Sequence, residues 1–313
     1  MNLLLDADSQ LKTSSSMIRL RAPAKINLFL HLVGRRADGF HLLDSLIAFT
    51  DYGDELSAEA AGDLSLAVDG PFAAGLSQGE DNLVLRAARL LMAEGSVTRG
   101  ARLRLTKQLP VASGIGGGSA DAVAAMKALT QLWGLYVPAG RLAELALKLG
   151  ADLPVCLAGR PSFVGGIGED IQPVPPMPDL FILLVNPLIP LPTIDVFRRR
   201  AQGPDAARFG APGRWSGTLA AEADLIRRLT DCRNDLTDAA IAIVPAIADV
   251  LERIGGQAGC RLARLSGSGA TCFGLFSDAA AARTAAAAIL DAKPGWWAVA
   301  TRLRLSDQTG GAA

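Results

Sequence analysis

Two hydrophobic rhythms alternate along the chain and predict a mixed protein of strands and helices. Period-two patterning runs through residues 26–33, with Leu28, Leu30 and Leu32 on one face and Phe29, His31 and Val33 on the other. Residues 18–22 read as a separate strand, ended by Pro23. Further strands are expected at 45–50, 55–58, 64–68, 101–106, 160–164, 180–185, 261–265, 271–276 and 297–305. Helical spacing appears after Asp81-Asn82, which read as a cap, with Leu83, Ala87, Leu90 and Leu91 on one stripe. More helices are expected at 119–133, 138–149, 193–197 (capped by Thr193), 219–229, 235–253 and 279–290. Residues 165–168 read as a turn. Residues 172–178 hold Pro173, Pro175, Pro176 and Pro178 and form the best linker, while polar, Gly- and Pro-rich residues 201–215 are expected to be the least ordered.

One stretch breaks both rhythms. Leu109-Pro110-Val111-Ala112-Ser113-Gly114-Ile115-Gly116-Gly117-Gly118-Ser119-Ala120 is a small-residue loop that feeds an Ala-rich helix. Glycine lets a ligand approach the backbone, and a helix start offers unpaired N–H groups and partial positive charge. Together they suit an anion, most often a phosphate. No lysine precedes Ser119, so this is not a Walker A loop, and Ser119 stands where a dinucleotide fingerprint needs its third glycine. A triphosphate here would be held mainly by backbone amides.

Composition narrows the class. A chain of 313 residues can hold one large or two ordinary domains, and half of it is hydrophobic. Its 31 basic and 31 acidic residues cancel, so no global field draws it to nucleic acid or anionic membrane. Cys156, Cys232, Cys260 and Cys272 are scattered without a C-x-x-C, against a disulfide framework or zinc site and for a reducing, cytoplasmic setting. Residues 1–16 lack the basic start and long apolar core of a signal peptide and are expected to be a disordered extension ahead of Met17.

Other residues carry candidate chemistry. Lys25 and Asn27 fall on the same side of one strand. Gly34-Arg35-Arg36-Ala37-Asp38-Gly39-Phe40-His41 is a polar turn ending in a stacking face and an imidazole. Lys107 closes a strand just before the glycine loop, where it either faces a nucleotide or is a solvated strand end. Asp152 lies among small apolar residues, where an unpartnered carboxylate is costly, so it either caps a helix or is held for a purpose. Ser266-Gly267-Ser268-Gly269 forms a second small-residue loop, a tight hairpin or a partner to the first loop at one phosphate group.

Three spaced stretches together resemble the GHMP kinases: Ala22-Pro23-Ala24-Lys25-Ile26-Asn27, the loop at 109–122, and Leu265-Ser266-Gly267-Ser268-Gly269-Ala270. The polar turn at 34–41, Asp81-Asn82-Leu83 and Gly150-Ala151-Asp152-Leu153-Pro154-Val155 are most similar to the branch acting on a cytidine-diphosphate-linked methylerythritol. The resemblance spans residues 19–305. It implies an α+β (α/β two-domain) GHMP-kinase fold. Residues 17–172 would form a nucleotide-binding domain like ribosomal protein S5 domain 2, residues 173–313 a ferredoxin-like domain, with the active-site cleft between them. It implies ATP-dependent phosphorylation of the substrate's 2-hydroxyl in non-mevalonate isoprenoid synthesis, with ATP and Mg²⁺ as co-substrate, no prosthetic group, and a monomer or homodimer.

By the same resemblance Asp152 is the general base and Lys25 orients it and offsets developing charge. Pro110, Val111, Ala112, Ser113, Gly114, Ile115, Gly116, Gly117, Gly118, Ser119 and Ala120 would wrap the triphosphate, with Ser119 a candidate magnesium contact and Asn82 and Lys107 near the adenine. Asn27, Phe40, His41, Thr193, Ser266, Gly267, Ser268 and Gly269 would face the substrate, with Phe40 on the cytosine where the family commonly has Tyr. Ala112, Ser113 and Ala120 replace two glycines and a serine of the family loop. The alternatives are a homoserine- or mevalonate-type kinase, or a non-catalytic nucleotide-dependent regulator on the same fold.

Overall fold

The longest elements are two strands that the sequence divides into four. In this computed structural model, which describes residues 17–305, β1 (Ile18–Arg35) and β2 (His41–Ala61) pair antiparallel over most of their length. The expectation for residues 1–16 lies outside the described residues. Pro23 does not end β1; a register shift between Pro23 and Lys25 absorbs it, as bulges do where a ladder donor is missing. Residues 51–54, between the strands expected at 45–50 and 55–58, are likewise extended, because Ala22 pairs with Asp54 and Pro23 with Gly53.

β2 also pairs with β4 (Gly100–Thr106), which carries β3 (Ser65–Asp69) in parallel at the sheet edge. Between β3 and β4 runs α1 (Leu83–Glu94); after β4 come α2 (Gly117–Trp133), α3 (Ala139–Leu149) and α4 (Leu153–Ala158). α2 is buried along much of its length because its alanines allow close packing against β1, β2 and α1. β5 (Ser162–Gly166) then pairs with β2 and with β6 (Asp170–Pro173), so of the turn expected at 165–168 Gly165 and Gly166 extend the strand, and the chain reverses at Ile167 and Gly168.

The second half contains β7 (Leu180–Asn186), α5 (Thr193–Gln202), α6 (Glu222–Thr230), α7 (Thr237–Ile243) and α8 (Ala246–Gly255). It closes with β8 (Cys260–Leu265), β9 (Cys272–Phe276), α9 (Ala279–Ala292) and β10 (Trp297–Arg304). Its strands lie in the order β10-β7-β9-β8, all antiparallel, the arrangement of a ferredoxin-like unit. β10 also pairs with β2 at Leu303–Thr50 and Arg304–Phe49, so one sheet runs through both halves.

Three expectations change here. The helix at 235–253 is two helices, because Pro245 has no N–H to continue α7 and instead opens α8. Thr193 is the first residue of α5, not its side-chain cap, and the helix runs five residues further than expected. Residues 203–215 lack regular structure but are tied down. The buried Arg200 guanidinium donates to the carbonyls of Asp205 and Arg208, the Gly213 N–H donates to Asp44 (2.6 Å), and Arg214 bridges Asp44 and Asp170.

Candidate active site

β4 leads through Lys107 and Leu109 into the glycine loop, which ends at the start of α2. Gly114 holds φ +76, and a Cβ on it would lie 2.6 Å from both the Gly269 nitrogen and the Ser266 oxygen. Gly116, at φ +64, precedes α2, and its Cβ would sit 3.0 Å from Cε of Lys25. These two glycines are therefore required by backbone sign and by close approach. No side chain caps α2, so the amides of its first turn remain available. Ala112 adopts φ +50 where the family pattern has glycine, at a cost of roughly 1–2 kcal/mol for a residue with Cβ.

The second loop, between β8 and β9, is both a tight hairpin and a buttress for the first. The Thr271 N–H donates to Ser113 O (3.1 Å), and the Ser266 hydroxyl donates to Gly114 O (3.3 Å) while accepting from the Asn27 N–H (3.2 Å). β1 joins through the Lys25 N–H, which donates to Ile115 O (2.9 Å). Ser266 is fully buried by these contacts, and Gly269 turns into the packing of Leu191, Leu265 and Ile247. Gly267 and Ser268 reach the cleft, where the Ser268 hydroxyl meets that of Thr193 at 2.8 Å. Of the loop itself, Ile115 is buried and only its carbonyl is engaged, whereas Val111, Ala112 and Gly118 are exposed.

Lys25 and Asp152, 127 positions apart, meet with Nζ 3.1 Å from Oδ2. The lysine side chain is 6% exposed and the aspartate 47%, so the carboxylate opens to the cleft rather than lying in the apolar surroundings its sequence neighbours suggest. Asp152 occupies the residue before α4 but makes no capping bond. Its purpose lies with Lys25. Asn27 is buried and held at both ends of its amide: Oδ1 accepts from Lys25 Nζ (3.1 Å) and Nδ2 donates to Ser45 (2.8 Å), which in turn donates to Phe29 O. Asn27 thus steers the lysine.

Lys107, expected near an adenine, lines the cleft with its ammonium turned to two carboxylates. Its ammonium is paired with Asp54 and with Asp121 (2.7 Å), all three nearly fully buried. Burial is the main force pushing the Asp121 carboxyl above its ordinary range; the Lys107 charge opposes it and Asp54 adds to it. Asn82, expected at the same pocket, spends its side chain locally, accepting from the Val84 N–H (2.9 Å) and donating to Ser77 O (2.6 Å). It is the cap of α1, as its sequence context indicates.

At the far side, Phe40 is 60% exposed and His41 is buried with Nε2 unpaired among the described residues. Burial, then Arg35 and Arg200, hold the His41 imidazole below its ordinary value, which favours the neutral ring. Phe197 of α5 stands 5.5 Å from the His41 ring and was not singled out from the sequence; its i+4 spacing from Thr193 on one helix face is the signal that was present. Lys25, Asp152, Gly117, His41, Phe197 and Ser268 all line one cleft of about 1410 Å³. A single-ligand pocket holds roughly 300–1,000 Å³, so this one has room for a nucleotide and a second ligand end to end.

Comparison with known proteins agrees with that geometry. The family model "GHMP kinases N terminal domain" matches residues 82–160, and "GHMP kinases C terminal" matches residues 218–294. The chain is 51% identical to a 4-diphosphocytidyl-2-C-methyl-D-erythritol kinase of Paramagnetospirillum magneticum, over 91% of this chain and 98% of that one. It is 52% identical to one of Ruegeria pomeroyi, over 88% and 95%. A crystal structure of a 4-(cytidine 5'-diphospho)-2C-methyl-D-erythritol kinase superposes with TM-score 0.74 at 33% identity, over 91% and 99% of the two chains. A homoserine kinase of Cytophaga hutchinsonii shares the fold at 18% identity and TM-score 0.67. The chain belongs to the GHMP kinases, in the branch of the 4-diphosphocytidyl-2-C-methyl-D-erythritol kinases.

Proposed function

We propose that the cleft transfers the γ-phosphoryl group of ATP to the 2-hydroxyl of 4-diphosphocytidyl-2-C-methyl-D-erythritol, with Asp152 as general base. The observation that carries this is the 3.1 Å Lys25–Asp152 pair opening to the cleft directly beside Gly116. Phosphoryl transfer asks a protein chiefly for positioning and charge stabilisation, plus a base for the acceptor. The Asp152 carboxylate accepts the hydroxyl proton as the new O–P bond forms and the bond from the γ-phosphorus to the bridging oxygen breaks, leaving ADP. Lys25, steered by Asn27, fixes the carboxylate and offsets negative charge at the transferring group. The amides of residues 112–119 and the start of α2 face the triphosphate. Magnesium would come with the nucleotide and neutralise phosphate charge; among the described residues no group of three or more His, Cys, Asp or Glu side chains forms a cation site, and Ser119, which lines the cleft, would be its contact.

Phe40 and His41, with Phe197, take the cytosine end, and Thr193 with Ser268 the diphosphate between. A base-recognising end argues against homoserine or mevalonate as acceptor. We also take the enzyme to work in the cytoplasm, as a monomer or homodimer, without nucleic acid or membrane. The balanced charge and four free cysteines support this, and no described helix is long and apolar enough to cross a membrane. The test is ADP release with each of the three acceptors. Turnover of the cytidylyl substrate is expected, and turnover of mevalonate or homoserine in its place overturns the reading.

A further inference from the structure

The buried charges around Lys107 have no part in the transfer itself, yet they lie directly under the loop that performs it. Asp54 is fully buried on β2, Lys107 directly follows β4, and Asp121 sits in α2, so three elements meet at one ammonium. The second oxygen of Asp54 accepts from the N–H groups of Gln108 (2.6 Å) and Leu109 (2.8 Å), the two residues that launch the glycine loop. A Cβ on Gly117, the first residue of α2, would lie 3.4 Å from Lys107 Nζ and 3.5 Å from Asp54 Oδ2. The cluster therefore touches both ends of the loop: where it leaves β4 and where it enters the helix. On the other flank the Lys107 N–H donates to Asp69 O (2.7 Å), fixing the strand end to β3's edge.

Stability alone does not account for such a cluster, since well-packed apolar side chains replace buried ion pairs at little or no loss. What directional bonds provide, and apolar packing does not, is a defined orientation of the backbone they hold.

We propose that Asp54, Lys107 and Asp121 are positioning residues for ATP: a dry clamp that aims the amides of residues 112–119 at the triphosphate without touching the nucleotide. The proposal rests on the reading of that loop as the triphosphate site. The clamp acts on one substrate only, because the acceptor end of the cleft, at Phe40, His41 and Phe197, shares no bond with it. Loosening it separates the KM for ATP from the KM for the acceptor, a split that a general loss of folded protein does not produce.

The experiment is steady-state kinetics on Asp121→Leu and Asp121→Asn, with thermal melts to confirm folding. Asn keeps the shape and an oxygen for Lys107, and is expected to leave both KM values near wild type. Leu keeps the branched shape but removes the acceptor, and is expected to raise the KM for ATP about tenfold, the order of a lost charge-assisted bond, with the acceptor KM unchanged. Lys107→Met, where it folds, is expected to shift the same way and further. A folded Asp121→Leu with wild-type KM for ATP, or one whose two KM values rise together, overturns the clamp. A wild-type protein that shows no saturable use of ATP overturns instead the kinase reading beneath it.

Discussion

Two lysines flank the glycine loop, and they do opposite things with the same chemistry. Lys25 lies against Gly116 and pairs with a carboxylate that is half open to the cleft; Lys107 lies against Gly117 and pairs with two carboxylates sealed from water. In water a charge pair contributes little stability but stays free to accept a proton and meet a ligand. Sealed, the same pair is costly to break and holds its backbone in one place. Solvent exposure, more than residue type, divides the reacting pair from the supporting one.

The largest effect should come from the wet side. Asp152→Asn is expected to lower kcat by about 10²–10⁴, the range for a lost general base, with ATP-analogue binding unchanged by calorimetry. Wild-type turnover would remove Asp152 from the reaction. The stability ranking should reverse. Lys107→Met is expected to cost roughly 3–5 kcal/mol in denaturant unfolding, because two buried acids lose their cation, while Lys25→Met costs less, about 1–2 kcal/mol, because only the buried Asn27 Oδ1 is left without its donor, and still abolishes transfer. Equal losses of stability would erase the contrast. A smaller effect is expected from Gly116→Ala, which adds strain at positive φ and presses on Lys25. About 1–2 kcal/mol of stability should be lost, with a lower kcat.

The histidines extend the contrast at the smallest scale. His31 is engaged at both nitrogens, accepting at Nε2 from the Arg233 N–H and meeting Ala211 O through Nδ1, and burial holds it below 6.5. A lowered folded value means the unfolded chain binds more protons. The His31 contribution is therefore complete above 6.5 and lost as pH falls through the window below it. His31→Gln should flatten the stability curve below pH 6.5 relative to wild type; an unchanged slope would show that His31 does not titrate with unfolding.

Which parts were legible in the sequence follows from the range of each signal. The glycine loop, the Asn82 cap, the apolar strand β7 and the β8–β9–α9–β10 unit are written locally, in spacing and turn residues, and the structure has them. The length of β1 and β2 was not, because Pro23 and the residues at 51–54 read as breaks until each strand is seen supplying the other's partners. The roughly ordered path of residues 203–215 depends on Asp44, far away in the chain, and no local pattern announces it. The pairing of Lys25 with Asp152 came from family resemblance alone. Lys107 was placed near the nucleotide because a cation before a phosphate loop invites that role; its two acids lie 53 residues before it and 14 after it. Asp121 stood in view as the one acid of the alanine-rich α2, and an isolated acid there was the clue to a buried partner.

The joint between β10 and β2 bears on how the molecule is made. Both register pairs that weld the halves, Leu303–Thr50 and Arg304–Phe49, depend on the final strand. A ribosome releases that strand long after β2. The nascent amino-terminal half must carry an open seam on β2 throughout synthesis, and a nonsense codon anywhere before residue 297 leaves the seam permanently unclosed.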